Sequence, residues 1–136
     1  MTVDVVCALI LNEGKILGTR RAEKSSRAGK WEFPGGKVKT DEKPENAILR
    51  ELEEELDISV PIIKRLPHIV YHYPETSIRL IPFICEWEGG EIMLKDHDQY
   101  AWIARDQLFE YDWSEADQNL IFLIQESTDF LHGPIV

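Results

Sequence analysis

Gly35-Gly36-Lys37-Val38-Lys39-Thr40-Asp41-Glu42, then Lys43 to Leu49, then Arg50-Glu51-Leu52-Glu53-Glu54-Glu55-Leu56-Asp57-Ile58, is the stretch that decides how this chain folds and what it can do. A diglycine turn leads into a helix. Pro44 suits its first position, because the N–H that proline lacks would have no partner there. Ile48, Leu49, Leu52 and Leu56 form its apolar stripe. Glu51, Glu54 and Glu55 follow at i, i+3 and i+4, so they share one face and repel one another. A hard divalent cation with oxygen ligands removes that cost, Mg²⁺ first and Mn²⁺ second. Ala47, one turn earlier, is small enough to let a phosphate and its metal approach. Arg50 and Glu54 are i, i+4 partners, and Glu53 points to solvent.

Outward from this helix, strands dominate. Val3 to Leu11 reads as a buried strand, Asn12-Glu13-Gly14 as a turn, and Lys15 to Arg20 as the returning strand. Arg20 to Lys30 is a polar, basic loop, and Trp31-Glu32-Phe33 a short aromatic strand. Val60 to Tyr73 and Ser77 to Trp87 read as two longer strands around Pro74-Glu75-Thr76. Glu88-Gly89-Gly90-Glu91 is a turn, Tyr100 to Ile103 a short strand, and Asp106 to Phe109 one helical turn. Glu115 to Phe130 reads as a terminal helix with Leu120, Leu123 and Ile124 inward. Residues 1–136 thus form one α/β (α+β) domain, a mixed sheet layered against helices.

Composition sets limits on function. The chain has 136 residues, 43% hydrophobic and 29% charged, which suits a globular domain with a real core. A net charge of −10 excludes a general binder of nucleic-acid polymers, which needs a basic surface. It permits one small phosphorylated ligand whose charge a metal offsets. Cys7 and Cys85 lie in apolar runs and read as reduced, buried thiols. No secretory leader or membrane-spanning stretch is visible, which points to the cytoplasm and away from membranes. Monomer and homodimer both remain open.

Gly36, Glu42 and Arg50-Glu51-Leu52-Glu53-Glu54-Glu55-Leu56-Asp57-Ile58 resemble the signature of the Nudix hydrolases, Gly-x5-Glu-x7-Arg-Glu-U-x-Glu-Glu-x-Gly-U, with U aliphatic. The match departs only at Asp57, which stands where the signature has Gly. Trp31-Glu32-Phe33-Pro34-Gly35-Gly36-Lys37 resembles the MutT-type branch, which cleaves nucleoside triphosphates. The resemblance implies an α/β/α sandwich around a mixed sheet. It implies that Glu51, Glu54, Glu55 and the Gly35 carbonyl hold the metal, that Glu51 or a neighbouring carboxylate is the general base, and that Arg50 orients a catalytic carboxylate. Glu42 would fix the loop before the helix. Asp57 would take the left-handed conformation after the helix at a modest cost.

The resemblance also assigns Phe33, Gly35, Gly36 and Lys37 to substrate. Arg21 matches a phosphate- or sugar-contacting arginine, or is one of a basic pair at a strand end. Arg79 is a weaker candidate for the same role. Phe33 stacks on a base or belongs to the core. Asp96 supplies a further metal ligand, or Asp96-His97-Asp98 is a solvent loop. Asp117 reads the base edge from the start of the last helix, or stabilises that helix N-terminus. The expected ligand is a small nucleotide. The leading activity is Mg²⁺-dependent hydrolysis of a cytidine-type or oxidised nucleoside triphosphate to monophosphate and pyrophosphate. The alternatives are cleavage of another nucleoside diphosphate derivative and a non-catalytic nucleotide sensor. An acidic interaction protein without a ligand ranks last.

Overall fold

The protein is described from a computed structural model covering residues 2–22 and 28–126. In chain order the elements are β1 (Thr2–Asn12), β2 (Lys15–Arg21), β3 (Trp31–Glu32), β4 (Gly35–Lys37), α1 (Pro44–Leu56), β5 (Ile62–Arg65), β6 (Ile69–His72), β7 (Ser77–Glu86), β8 (His97–Ala104), a 3-10 helix (Arg105–Glu110) and α2 (Glu115–Glu126). The sheet is mixed and runs β3-β2-β1-β7-β5, with β4 on β1, β6 on β7 and β8 on β2. β1 and β7 are parallel from Thr2↔Ser77 to Leu11↔Glu86; the other pairs are antiparallel.

The central strand explains the layering. Side chains alternate across a strand. Val6, Ala8 and Ile10 therefore join Ile48, Leu52 and Leu56 in one core. Cys7, Leu9 and Leu11 join Trp113, Leu120, Ile121 and Ile124 in the other. A strand covered on both faces has to read as an unbroken apolar run, as β1 does. The result is the expected α/β/α arrangement, with α1 on one face and α2 on the other. Each fully buried aliphatic side chain of α1 contributes roughly 1.5–3 kcal/mol relative to exposure. Cys7 and Cys85 are free and buried, and burial pushes both thiols up, Cys85 to about 12. No helix among the described residues is long and apolar enough to cross a membrane.

Several local expectations shift. Glu13 and Gly14 make a two-residue turn with φ of 51° and 80°, the conformation that joins twisted strands most tightly. The expected Val60–Tyr73 strand is two strands, β5 and β6. They flank Leu66-Pro67-His68, because Pro67 has no N–H to offer a sheet partner. On α1, Leu49 is 40% exposed and Ala47 is fully buried. Ala47 sits in the core that Val38 also packs against, so nothing approaches a ligand there. On α2, Leu123 is exposed and Ile121 takes its inward place. β8 begins at His97, earlier than expected, and residues 127–130 of the expected last helix lie outside the described residues.

Candidate active site

The diglycine turn makes the first contact between the acidic helix and the sheet. Gly35 and Gly36 pair with Cys7 and Val6 across β4 and β1. A Cβ on Gly35 would stand 1.9 Å from the Val6 carbonyl oxygen, and one on Gly36 would stand 2.4 Å from the Glu51 carboxylate carbon. Only glycine lets this strand press against β1 while leaving the Glu51 carboxylate its space.

Arg50 is the hub of the helix face. Its Nε and Nη2 donate to Glu42 at 2.8 and 2.9 Å, its Nη1 to Glu51 at 3.0 Å and Glu54 at 3.1 Å, and its Nη2 to the Lys37 carbonyl at 3.1 Å. A planar guanidinium can serve this many acceptors; an ammonium cannot. Glu42 in turn accepts from the Lys39 N–H at 2.9 Å, which pins the loop before α1. These bonds hold the Glu42 carboxyl down at about 2. Asp57 ends the helix at φ 55° and ψ 41°, its N–H donating to the Glu53 carbonyl and that of Ile58 to the Leu52 carbonyl. That is the left-handed cap which the signature glycine would form more easily.

Glu51 and Glu55 are half-buried. Burial raises Glu51, against the opposing bonds and charge of Arg50. Burial also pushes Glu55 up to about 7; His97 opposes this, and repulsion from Glu32 and Glu51 adds to it. Glu55 Oε1 accepts from the Gly35 N–H at 3.3 Å. Carboxylates left under-compensated by protein cations, beside a glycine-held space, fit a hard divalent cation in donor chemistry. They do not form a ready-made cage: among the described residues no group of three His, Cys, Asp or Glu side chains stands gathered for a metal. Glu54, half-exposed, leans to Arg50, and Glu55 leans to Gly35. Asp96 is exposed, and its carbonyl accepts from the Ala22 N–H at 3.4 Å.

A cavity of about 440 Å³ opens across the diglycine turn from this helix, on the α2 side of β1. Arg21, Glu32, Phe33, Gly35, Gly36, Lys37 and Asp117 all line it. Phe33 is buried and stacks on Trp113 with ring centroids 4.6 Å apart, so one ring face is already covered. Asp117 is buried and accepts a short hydrogen bond from the Ser114 hydroxyl. Burial pushes its carboxyl up to about 7 and repulsion from Glu32 adds to this, against the bonds from Ser114 and the Phe33 N–H. Tyr73 and Thr76 bring the β6–β7 turn to the same cavity, and the Tyr73 hydroxyl accepts from the Ala116 N–H at 3.3 Å.

Arg79 does not join this group, which corrects its expected reach. It alternates with Ile78 and Leu80, both of which line the cavity, and so it faces the other side of the sheet. Asp4 holds it there in two bonds of 2.8 and 2.7 Å. The sequence reading missed Glu32 and His97. Glu32 accepts from Arg21 at 3.0 Å and is bonded to His97 Nε2 at 2.8 Å. The available signal was a lone carboxylate between the aromatic residues Trp31 and Phe33.

The NUDIX domain pattern matches residues 1–124. The chain is 34% identical over 123 residues to the CTP pyrophosphohydrolase of Escherichia coli, covering 88% of each. It is also 34% identical over 120 residues to the 8-oxo-dGTP diphosphatase of the same organism, covering 88% of this chain and 93% of that one. The crystal structure of a MutT protein from Methanosarcina mazei superposes with a TM-score of 0.83 at 27% identity, over 92% of this chain and 94% of that one.

Proposed function

This chain belongs to the Nudix hydrolase family, and on that footing we propose that it hydrolyses a nucleoside or deoxynucleoside triphosphate to the monophosphate and pyrophosphate. The observation that carries the reading is a junction. A cavity of about 440 Å³, a size suited to a small ligand, ends at Gly35 and Gly36, and the carboxylates of Glu51 and Glu55 stand directly behind those glycines. A base in the cavity would direct its phosphates across the turn toward the acidic helix. The family generally uses divalent metal ions; Mg²⁺, with Mn²⁺ as substitute, would be held here by Glu51, Glu54, Glu55 and the Gly35 carbonyl. When bound, the ion supplies charge neutralisation for the polyphosphate and acidifies the attacking water.

The protein groups do the rest. Glu51 is held by Arg50 and freed of full compensation by burial, so it is placed to take the proton from water. The water oxygen bonds to phosphorus, the phosphoanhydride oxygen leaves, and pyrophosphate departs with the electron pair. Lys37 and Arg21 meet the phosphates and sugar at the cavity mouth. Asp117 reads the base edge. Near neutral pH its carboxyl exists in both forms, so it accepts from an amino group when ionised and also donates when protonated. A cytosine-type base and an oxidised purine both present groups that such a carboxyl can meet. The relatives named for CTP and for 8-oxo-dGTP support those two ligand types equally.

A panel of nucleoside triphosphates and diphosphate-linked nucleotides with Mg²⁺, resolving pyrophosphate from orthophosphate, tests the reading. Pyrophosphate from triphosphates is the expected product. Turnover confined to a diphosphate-linked compound would reject it.

A further inference from the structure

Glu32 is held from two sides, and the second side is made by an irregularity in the sheet. β2 and β8 pair regularly from Lys15↔Ala104 to Arg20↔Gln99. The next pair in strict register would be Arg21 with Asp98. Instead Arg21 faces His97, because Asp98 is an extra residue at a bulge. Directly opposed residues share a face. The bulge therefore brings His97 to the side of Arg21, while Asp98 closes on Arg20 in two bonds of 2.8 Å.

The consequence is a clamp made from three strands. Arg21 Nη1 lies 3.0 and 3.1 Å from the two Glu32 oxygens, and His97 Nε2 lies 2.8 Å from Oε2. The His97 side chain is only 2% exposed, so solvent does not share in the bond. Its other nitrogen, Nδ1, is buried and has no hydrogen-bond partner among the described residues. An unmet polar atom is a cost that packing alone would remove by placing an aliphatic residue there. His97 itself is absent from the cavity lining, whereas Glu32 and Arg21 line it.

We propose that His97 is a positioning residue: with Arg21 it fixes the Glu32 carboxylate in the cavity wall, so that this wall meets the nucleotide preformed. The proposal rests on the nucleotide reading above and adds a residue to it. Unclamped, Glu32 would swing, and Arg21 would lose the partner that aims it at the phosphates. The expected loss is therefore in substrate affinity rather than in the chemical step.

Steady-state kinetics of the full chain with Mg²⁺ and its best triphosphate separate the possibilities. H97L should raise KM about tenfold, in the range seen when a residue that orients a binding group is removed. Its kcat should stay within about twofold. H97Q should return KM close to the wild-type value, because the longer amide still donates to Glu32. In an E32Q background, H97L should add nothing further, since the residue it positions is already altered. If H97L does not fold, H97N takes its place, its shorter amide stopping short of Glu32. Equal losses in H97L and H97Q, additive losses with E32Q, or an unchanged KM would each overturn the proposal. An inactive wild type would overturn the nucleotide reading as well, whereas an active wild type with an indifferent H97L overturns this inference alone.

Discussion

The acidic face of α1 and the clamp around Glu32 are both charged, partly buried and next to the same cavity, yet they are built in opposite ways. On α1 a single arginine serves Glu42, Glu51 and Glu54, and all four residues lie within a short span of sequence. Around Glu32 the partners come from β2 and β8, and His97 is 65 positions away in sequence. A helix brings charges together by local spacing alone. A sheet brings them together by register, and here by a bulge. The first kind of site is robust to changes elsewhere in the fold. The second depends on distant strands pairing correctly.

The sharpest way to break this comparison is to remove charge on the helix. Glu51→Gln keeps the shape and the acceptor oxygen for Arg50 but loses the base. If Glu51 takes the proton from water, kcat should fall by about 10² to 10⁴. Nucleotide affinity, read by equilibrium binding with Mg²⁺, should change little by comparison. A variant with near wild-type kcat would move the proton-accepting role to Glu54 or Glu55. That outcome would leave Glu51 as a metal-holding residue only.

The same contrast explains what the sequence revealed. The helix, its proline start and the Arg50–Glu54 pair follow from spacing and local backbone preference, its left-handed end at Asp57 from the glycine of the resembled signature, and each is present. Ile48, Leu52, Leu56, Leu120 and Ile124 face inward as their spacing predicts. Leu49 and Leu123 are apolar but exposed, and Ala47 and Ile121 face inward, because packing against the sheet decides the buried arc more finely than hydrophobicity does. Sheet-dependent features were not legible. Alternation puts Arg79 opposite Ile78, but nothing local says which of those faces carries the cavity, or that a bulge at Asp98 turns His97 inward. The 3-10 helix at Arg105–Glu110 and the split at Pro67 sit between these extremes, since proline and short polar turns carry partial local signals.

A smaller effect sharpens the comparison at the cavity. Asp117 has a carboxyl at about 7 in the folded chain against 3.8 as a free side chain, so the folded state binds more protons between those values. Stability is therefore lost as pH rises through that window. Asp117→Asn keeps an oxygen to accept from Ser114 and from the Phe33 N–H, and it never ionises. The variant should gain stability over wild type as pH is raised from about 5 to about 8, by roughly 1–3 kcal/mol, each pKa unit being worth about 1.4 kcal/mol. Thermal melts of both proteins at the two pH values measure it. A gap that does not widen would mean that Asp117 ionises freely in place. The same variant should reorder the nucleotide panel more than it lowers the overall rate, because the ionised acceptor is replaced by an amide that presents both a donor and an acceptor.

The smallest expected effect lies at the end of α1, where this chain departs from the family signature. Asp57 holds φ 55° and ψ 41° without a side-chain role in the cavity, and the backbone bonds of the cap run through its own N–H and that of Ile58. A residue with a Cβ pays for the left-handed conformation, and a carboxylate at a helix C-terminus faces the negative end of the dipole. Glycine removes both costs but adds freedom to the unfolded chain, which offsets part of the gain. Asp57→Gly should therefore stabilise the fold by no more than about 1 kcal/mol in denaturant titration. Its turnover should match wild type, since Arg50, Glu51 and Glu55 keep their partners. Loss of turnover in a stable Asp57→Gly protein would show that the helix end, and not only the face between Glu51 and Glu55, takes part in holding the acidic cluster in place.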